Sequence, residues 1–105
     1  MATFYNRVVK NLDTSRIAAF QSTSDSTIVL SILVANTDGQ SADVTIEQDS
    51  SADVLEAYLS KNIAVPSQSN LDAISNKFIL PSGKKIALLS SASGSLDAII
   101  SYVEV

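Results

Sequence analysis

The sequence predicts an all-β fold, a single antiparallel β-sandwich of jelly-roll-like or immunoglobulin-like type with about eight strands. Three observations carry that prediction. Apolar and polar residues alternate at the period of two that a half-buried strand requires. The apolar positions are rich in Val and Ile, which fit a pleated chain. Turn-forming residues interrupt the pattern at the short, regular spacing of a sandwich.

Taken along the chain, Phe4 to Val9 and Arg16 to Gln21 read as two strands of weak pattern. Ser26 to Asn36 (STIVLSILVAN) is the strongest strand. Ile28, Leu30, Ile32 and Val34 share one face, Val29, Leu33 and Ala35 the other, so both faces are partly covered and the strand is central. Thr37-Asp38-Gly39-Gln40 follows, with an Asp-Gly step suited to the positive backbone angles of a tight turn. Asp43 to Gln48 then alternates with Val44 and Ile46 inward, which predicts a hairpin.

Asp49 to Asp53 is a polar loop. In Val54 to Val65, Leu55, Tyr58 and Leu59 sit at helix-like spacing, but Leu55, Ala57 and Leu59 also alternate with Glu56, Tyr58 and Ser60. A strand is preferred, with an edge bulge at Lys61-Asn62 and a stop at Pro66, which cannot donate to a ladder. Leu71 to Ile74 dips back toward the core. Lys77 to Leu80 and Lys84 to Ser90, joined by Pro81-Ser82-Gly83, predict a second hairpin. Ser91 to Ser95, with Gly94, turns the chain into a last strand, Leu96 to Val105.

At 105 residues, 46% hydrophobic and 17% charged, the chain is long enough and apolar enough for one domain over residues 1–105 and too short for two. A net charge of −4 argues against a grip on nucleic acid, with Arg7, Lys10 and Arg16 as the only basic cluster. The longest apolar runs fall well short of the ~20 residues of a membrane helix. The start, Met1 to Lys10, has no basic end followed by an apolar stretch, so neither membrane nor export is expected.

Histidine and cysteine are both absent. Their absence removes imidazole-based triads, thiolate nucleophiles and the commonest transition-metal ligands. A Ser-Lys pair needs a buried amine beside the hydroxyl, and Ser60-Lys61 and Ser82 to Lys84 both read as surface turns. Two carboxylate pairs, Asp49 with Asp53 and Asp43 with Glu47 on one outward strand face, read as ordinary solvated charge. Asp49-Ser50-Ser51-Ala52-Asp53 and Asn36-Thr37-Asp38-Gly39 could offer oxygens to calcium, but neither has the closing glutamate of an EF-hand loop. No catalytic residue, cofactor or metal is therefore expected, and the chain reads as a building or binding module.

Four segments carry a resemblance. They are Ile28 to Asn36 running into Thr37, Tyr58-Leu59 with Ile63-Ala64-Val65-Pro66, Lys77 to Leu80 with Ser82-Gly83, and Ser91 to Asp97 continuing to Ser101-Tyr102-Val103-Glu104-Val105. From about Ile28 to Val105 the chain resembles small virion structural proteins of tailed bacteriophages, marine ones especially. The resemblance implies a non-enzymatic β-sandwich present in many copies on the virion, as a capsid-decoration, neck or tail protein. Its implied partners are other virion proteins and further copies of itself. Residues 1–12 are read either as an arm or edge strand that docks on a neighbouring subunit through Phe4, Tyr5, Arg7, Val8 and Lys10, or as the first strand of the domain's own sheet. The competing reading of the whole chain is a stand-alone adhesion or glycan-binding sandwich, in which Tyr5, Tyr58 and Tyr102 would stack on sugars.

Overall fold

A computed structural model describes residues 2–74 and 76–105. It contains nine strands and no helix among these residues: β1 (Thr3–Val9), β2 (Ile17–Gln21), β3 (Thr27–Asn36), β4 (Ala42–Asp49), β5 (Leu55–Val65), β6 (Asn70–Asp72), β7 (Phe78–Leu80), β8 (Lys85–Ser90) and β9 (Leu96–Glu104). All pairings are antiparallel. One sheet runs β1-β9-β3-β6, with β7 beside β6 on the same flank of β3, and the other runs β2-β8-β4-β5.

This order is that of a rolled ribbon. β4 pairs with β5 at the ribbon's tip, β3 with β6 and β7, β2 with β8, and β1 with β9 at its open end. Rolling the ribbon sends alternate pairs to opposite sheets, which is the jelly roll, one of the two sandwich types the sequence predicts. β6 and β7 occupy one flank as two three-residue pieces, so the nine strands fill eight strand places.

The core follows from the side-chain alternation. Val29, Ile32, Val34, Ala98 and Ile100 from one sheet meet Phe20, Val44, Ile46, Ile86 and Leu88 from the other, all buried. Each buried Val, Leu or Ile contributes about 1.5–3 kcal/mol relative to exposure. Leu12 closes one end from a loop. It is fully buried, and its backbone exchanges bonds with Leu96 O (2.8 Å) and Gly94 N (3.0 Å).

Several expectations need correction. The strongest strand is central, but its faces are not those of a simple alternation. A register shift between Val29 and Ser31 changes the phase, so Val29 joins Ile32 and Val34 inside while Ile28 turns outward. Neither predicted hairpin exists: β3 and β4 lie in different sheets, as do β7 and β8. Thr37 to Gln40 and Pro81 to Gly83 instead carry the chain across the sandwich. Gly39 does not adopt a positive φ, whereas Gly83 does (84°) and Lys84 N closes its turn on Pro81 O at 3.1 Å. The crossing after β3 is held by buried Asn36, whose amide donates to Gln40 O (2.8 Å) and Val65 O (3.0 Å) and accepts from Asp38 N (2.9 Å).

The strand reading of Val54 to Val65 holds, and so does its bulge. Val44 faces Ile63 and Ile46 faces Ser60, leaving Lys61 and Asn62 together opposite Thr45. Asn62 takes φ 53°, and Thr45 Oγ1 bonds both its backbone N (3.1 Å) and its Oδ1 (3.3 Å). Ala73 and Ile74 enter the core as expected.

Candidate interaction surface

The two outward sheet faces differ in chemistry, and the pairing register shows why. On the β2-β8-β4-β5 sheet, Ala18 and Ala87 pair, and Ala87 in turn faces Glu47. These two small side chains leave room for Arg16 to reach along the face. Its Nη1 lies 3.0 Å from Glu47 Oε1 and 3.5 Å from Asp49 Oδ2, while Nη2 donates to Asp53 O at 2.7 Å. Lys85 meets Asp53 at 2.7 Å, Lys84 meets Glu56 at 2.5 Å, and Gln48 donates to Glu56 at 3.0 Å.

The titration of these groups follows their partners. Lys85 pulls Asp53 below its ordinary value and Lys84 does the same for Glu56. Burial pushes Asp49 up, helped by the neighbouring Glu47 carboxylate, against the pull of Arg16. Arg16, Lys84 and Lys85 are thus engaged with Glu47, Asp49, Asp53 and Glu56.

These contacts revise the placement of the chemistry-bearing residues. Glu47 is buried, so Asp43 and Glu47 are not a pair of solvated carboxylates on one open face. Asp49 is the buried end of β4 and Asp53 an exposed loop residue, the carboxylate of the first paired with Arg16 and that of the second with Lys85. Ser60 and Lys61 lie within β5, not in a turn, and Ser60 Oγ donates to Ala73 O. Lys84, near Ser82, is held by Glu56. Arg16 leaves the basic cluster with Arg7 and Lys10 and joins the acidic residues of the other sheet. Among the described residues no group of three or more His, Cys, Asp or Glu is placed to hold a metal ion.

The β1-β9-β3 sheet presents the opposite face. Phe4 pairs with Val103, Val103 with Ile28, and Ile28 with Ile79, which makes one apolar row across β1, β9, β3 and β7. Asn6, Ser101 and Ser31 form a polar row beside it, and Val8, Ile99 and Leu33 a second apolar row. Phe4 (71% exposed), Ile79 (68%) and Val8 (57%) stand out to solvent, with Ile99 and Leu33 partly so. Val103 lies on this face yet is buried, enclosed by the row it belongs to.

The site residues expected from sequence fall here. Phe4, Tyr5, Arg7 and Val8 are all on β1, and Lys10 follows its end; Met1 lies outside the described residues. Phe4 and Val8 share the outward face. Tyr5 and Arg7 point to the other side, where Tyr5 stacks on Tyr102 (5.3 Å between centroids) and Tyr102 leans on Phe20 (4.4 Å). β1 pairs with β9 of its own chain over all seven of its residues. Sequence reasoning missed Leu33, Ile79 and Ile99 as surface residues. The signal for Ile99 was the double apolar step Ile99-Ile100, which puts one isoleucine on each face.

No protein-family model and no curated protein sequence matches the chain. Among solved structures it is similar to a chain of the T13 IBDV viral particle, with TM-score 0.54 and 10% identity over 97% of this chain and 30% of that one. It is also similar to VP2 in the infectious bursal disease virus subviral particle, with TM-score 0.51 and 9% identity over 98% of this chain and 33% of that one. The chain therefore spans about a third of each of these proteins. At these identities the similarity establishes the shared β-sandwich fold.

Proposed function

We propose that the chain is a non-enzymatic structural subunit of a tailed-phage virion, working on the capsid surface, neck or tail through contacts with other virion proteins and with copies of itself. The observation that carries this reading is the contrast between the two sheets. One outward face carries four ion pairs, while the other offers two apolar rows that reach β1, the end strand of its sheet among the described residues. Contiguous exposed apolar surface of this kind marks protein contact surfaces. The likeness to chains of viral particles supports the same reading, as does the frequent use of jelly rolls in capsid proteins. A glycan-binding role is less well supported. Tyr5 and Tyr102 stack on each other, and Tyr58 lies under the Lys61 ammonium at 4.8 Å, so all three tyrosine rings are already engaged.

Antibody raised against the purified chain tests the proposal. It should label intact particles from the source culture, and the chain should co-sediment with them in a density gradient. Recovery of the chain only in the particle-free fraction overturns the reading.

A further inference from the structure

The strand edges of the two sheets are unequally protected. β2 is five residues long and broken by a bulge between Ala18 and Phe20. β5 is interrupted by three register shifts and by Asn62 at φ 53°. The flank formed by β6 and β7 is split into two short pieces. Short strands, bulges and breaks are three of the means, beside edge charges such as Arg7, by which sheets avoid pairing with foreign strands. β1 has none of these three. It is paired to β9 without a register shift, contains neither proline nor glycine, and has no strand on its far edge among the described residues.

The sequence of β1 is also chemically symmetric about its midpoint, Asn6. Thr3 matches Val9, both β-branched; Phe4 matches Val8, both apolar and outward; Tyr5 matches Arg7, an aromatic ring and a cation on the opposite side. We propose that β1 pairs antiparallel with β1 of a second copy about a two-fold axis at Asn6. This names the partner of the contact surface proposed above and rests on that reading to that extent. In this register Phe4 packs on Val8 of the second copy, and the apolar rows continue across the junction. Arg7 lies over Tyr5 of the second copy in a cation–π contact, and the two Asn6 amides can bond to each other. Moving the axis one residue to Arg7 keeps the sheet faces but sets two guanidiniums opposite each other and Phe4 opposite Lys10. An axis at Tyr5 leaves Val8 opposite only Ala2. A contact confined mainly to one strand is smaller than a standard stable interface, so the pair is expected to form reversibly in solution and to be reinforced where many copies are held together.

The absence of native cysteine allows the register to be read directly. Opposed residues of an antiparallel pair lie about 4.5–5.5 Å apart at Cα, within disulfide range. An Asn6→Cys variant should therefore form a disulfide dimer under mild oxidation. Phe4→Cys and Val8→Cys should each link with themselves at least tenfold more slowly, since like residues are then ~13 Å apart along the strands. Mixed together, those two should link to each other. Wild-type chain in sedimentation equilibrium should shift reversibly from monomer toward twice the monomer mass as concentration rises.

Wild-type chain that stays monomeric up to millimolar concentration overturns the proposal. So does a folded Asn6→Cys variant that links no faster than Phe4→Cys. Should Asn6→Cys fail to fold, the Phe4→Cys and Val8→Cys mixture decides by the same comparison. Labelled particles without this dimer would refute self-pairing and leave the virion reading intact. The dimer without labelled particles would do the reverse.

Discussion

Arg16 Nη1 stands 3.0 Å from Glu47 Oε1 and 3.5 Å from Asp49 Oδ2, so a single guanidinium serves two carboxylates that are both buried. Burying one carboxylate without a partner is costly, and here two depend on the same cation. Arg16→Leu should lower the thermal midpoint by about 10 °C or more, measured by circular dichroism at pH 7. Arg16→Lys should recover part of the loss, because an ammonium on a flexible stem cannot reproduce the fork that also reaches Asp53 O.

The same cluster gives stability a definite pH dependence. Burial and the neighbouring Glu47 carboxylate raise Asp49 above its ordinary 3.8. A carboxyl raised on folding favours the folded state while protonated, so this contribution is full below 3.8 and is lost as pH rises through the raised value. Asp53 and Glu56 are lowered, and their contribution runs the other way, present above their ordinary values and lost as pH falls. Asp49 Oδ1 has no hydrogen-bond partner, and an asparagine there supplies a donor for Glu47 without a second buried charge. Asp49→Asn should therefore raise the midpoint at pH 7 by a few degrees, with the gain vanishing below pH 3.8. Melts at a series of pH values check both the gain and its disappearance.

Asn36 is a buried polar group with its hydrogen-bonding capacity well used, since it bonds Gln40 O, Val65 O and Asp38 N where the chain crosses between sheets. Asn36→Ala leaves those partners unsatisfied and should cost about 2–3 kcal/mol in urea unfolding, with little change in the slope. A loss under ~1 kcal/mol would mean that the crossing holds without this residue.

Gly83 and Gly39 separate what the turn signals in the sequence could show from what they could not. The strands were legible because alternation is a local property, and even the Lys61-Asn62 bulge could be placed from sequence. Sheet partnership was not legible. Asp38-Gly39 and Pro81-Ser82-Gly83 mark where the chain turns, but whether the next strand joins the same sheet or the facing one is decided by the rolled topology. The candidate surface was half legible for the same reason: Phe4 and Val8 lie four residues apart in one expected strand and so share a face, whereas their continuation through Ile99, Leu33 and Ile79 exists only once β1, β9, β3 and β7 are placed side by side. The glycines make the distinction measurable. Gly83→Ala puts a side chain at φ 84° and should cost about 1–2 kcal/mol, while Gly39→Ala meets no atom within 4 Å and no positive φ and should change stability by less than ~0.5 kcal/mol. Equal losses at both sites would show that Gly39 has a turn role after all.

Ile79 tests whether the apolar face exists for folding or for contact. It ends the row that begins at Phe4, pairs with Ile28, and is 68% exposed, so it adds little to the core although it lies over a buried stretch of the sheet. Cross-strand contact at such a position is worth about 0.2–1 kcal/mol. Ile79→Lys should therefore shift unfolding by no more than ~1 kcal/mol, since the lysine stem can still lie along the row with its ammonium in water. If the face is a contact surface, the charge should reduce co-sedimentation with particles by at least tenfold while the chain stays folded. If instead the face stabilises the chain alone, the loss will appear in the urea midpoint and particle association will be unchanged.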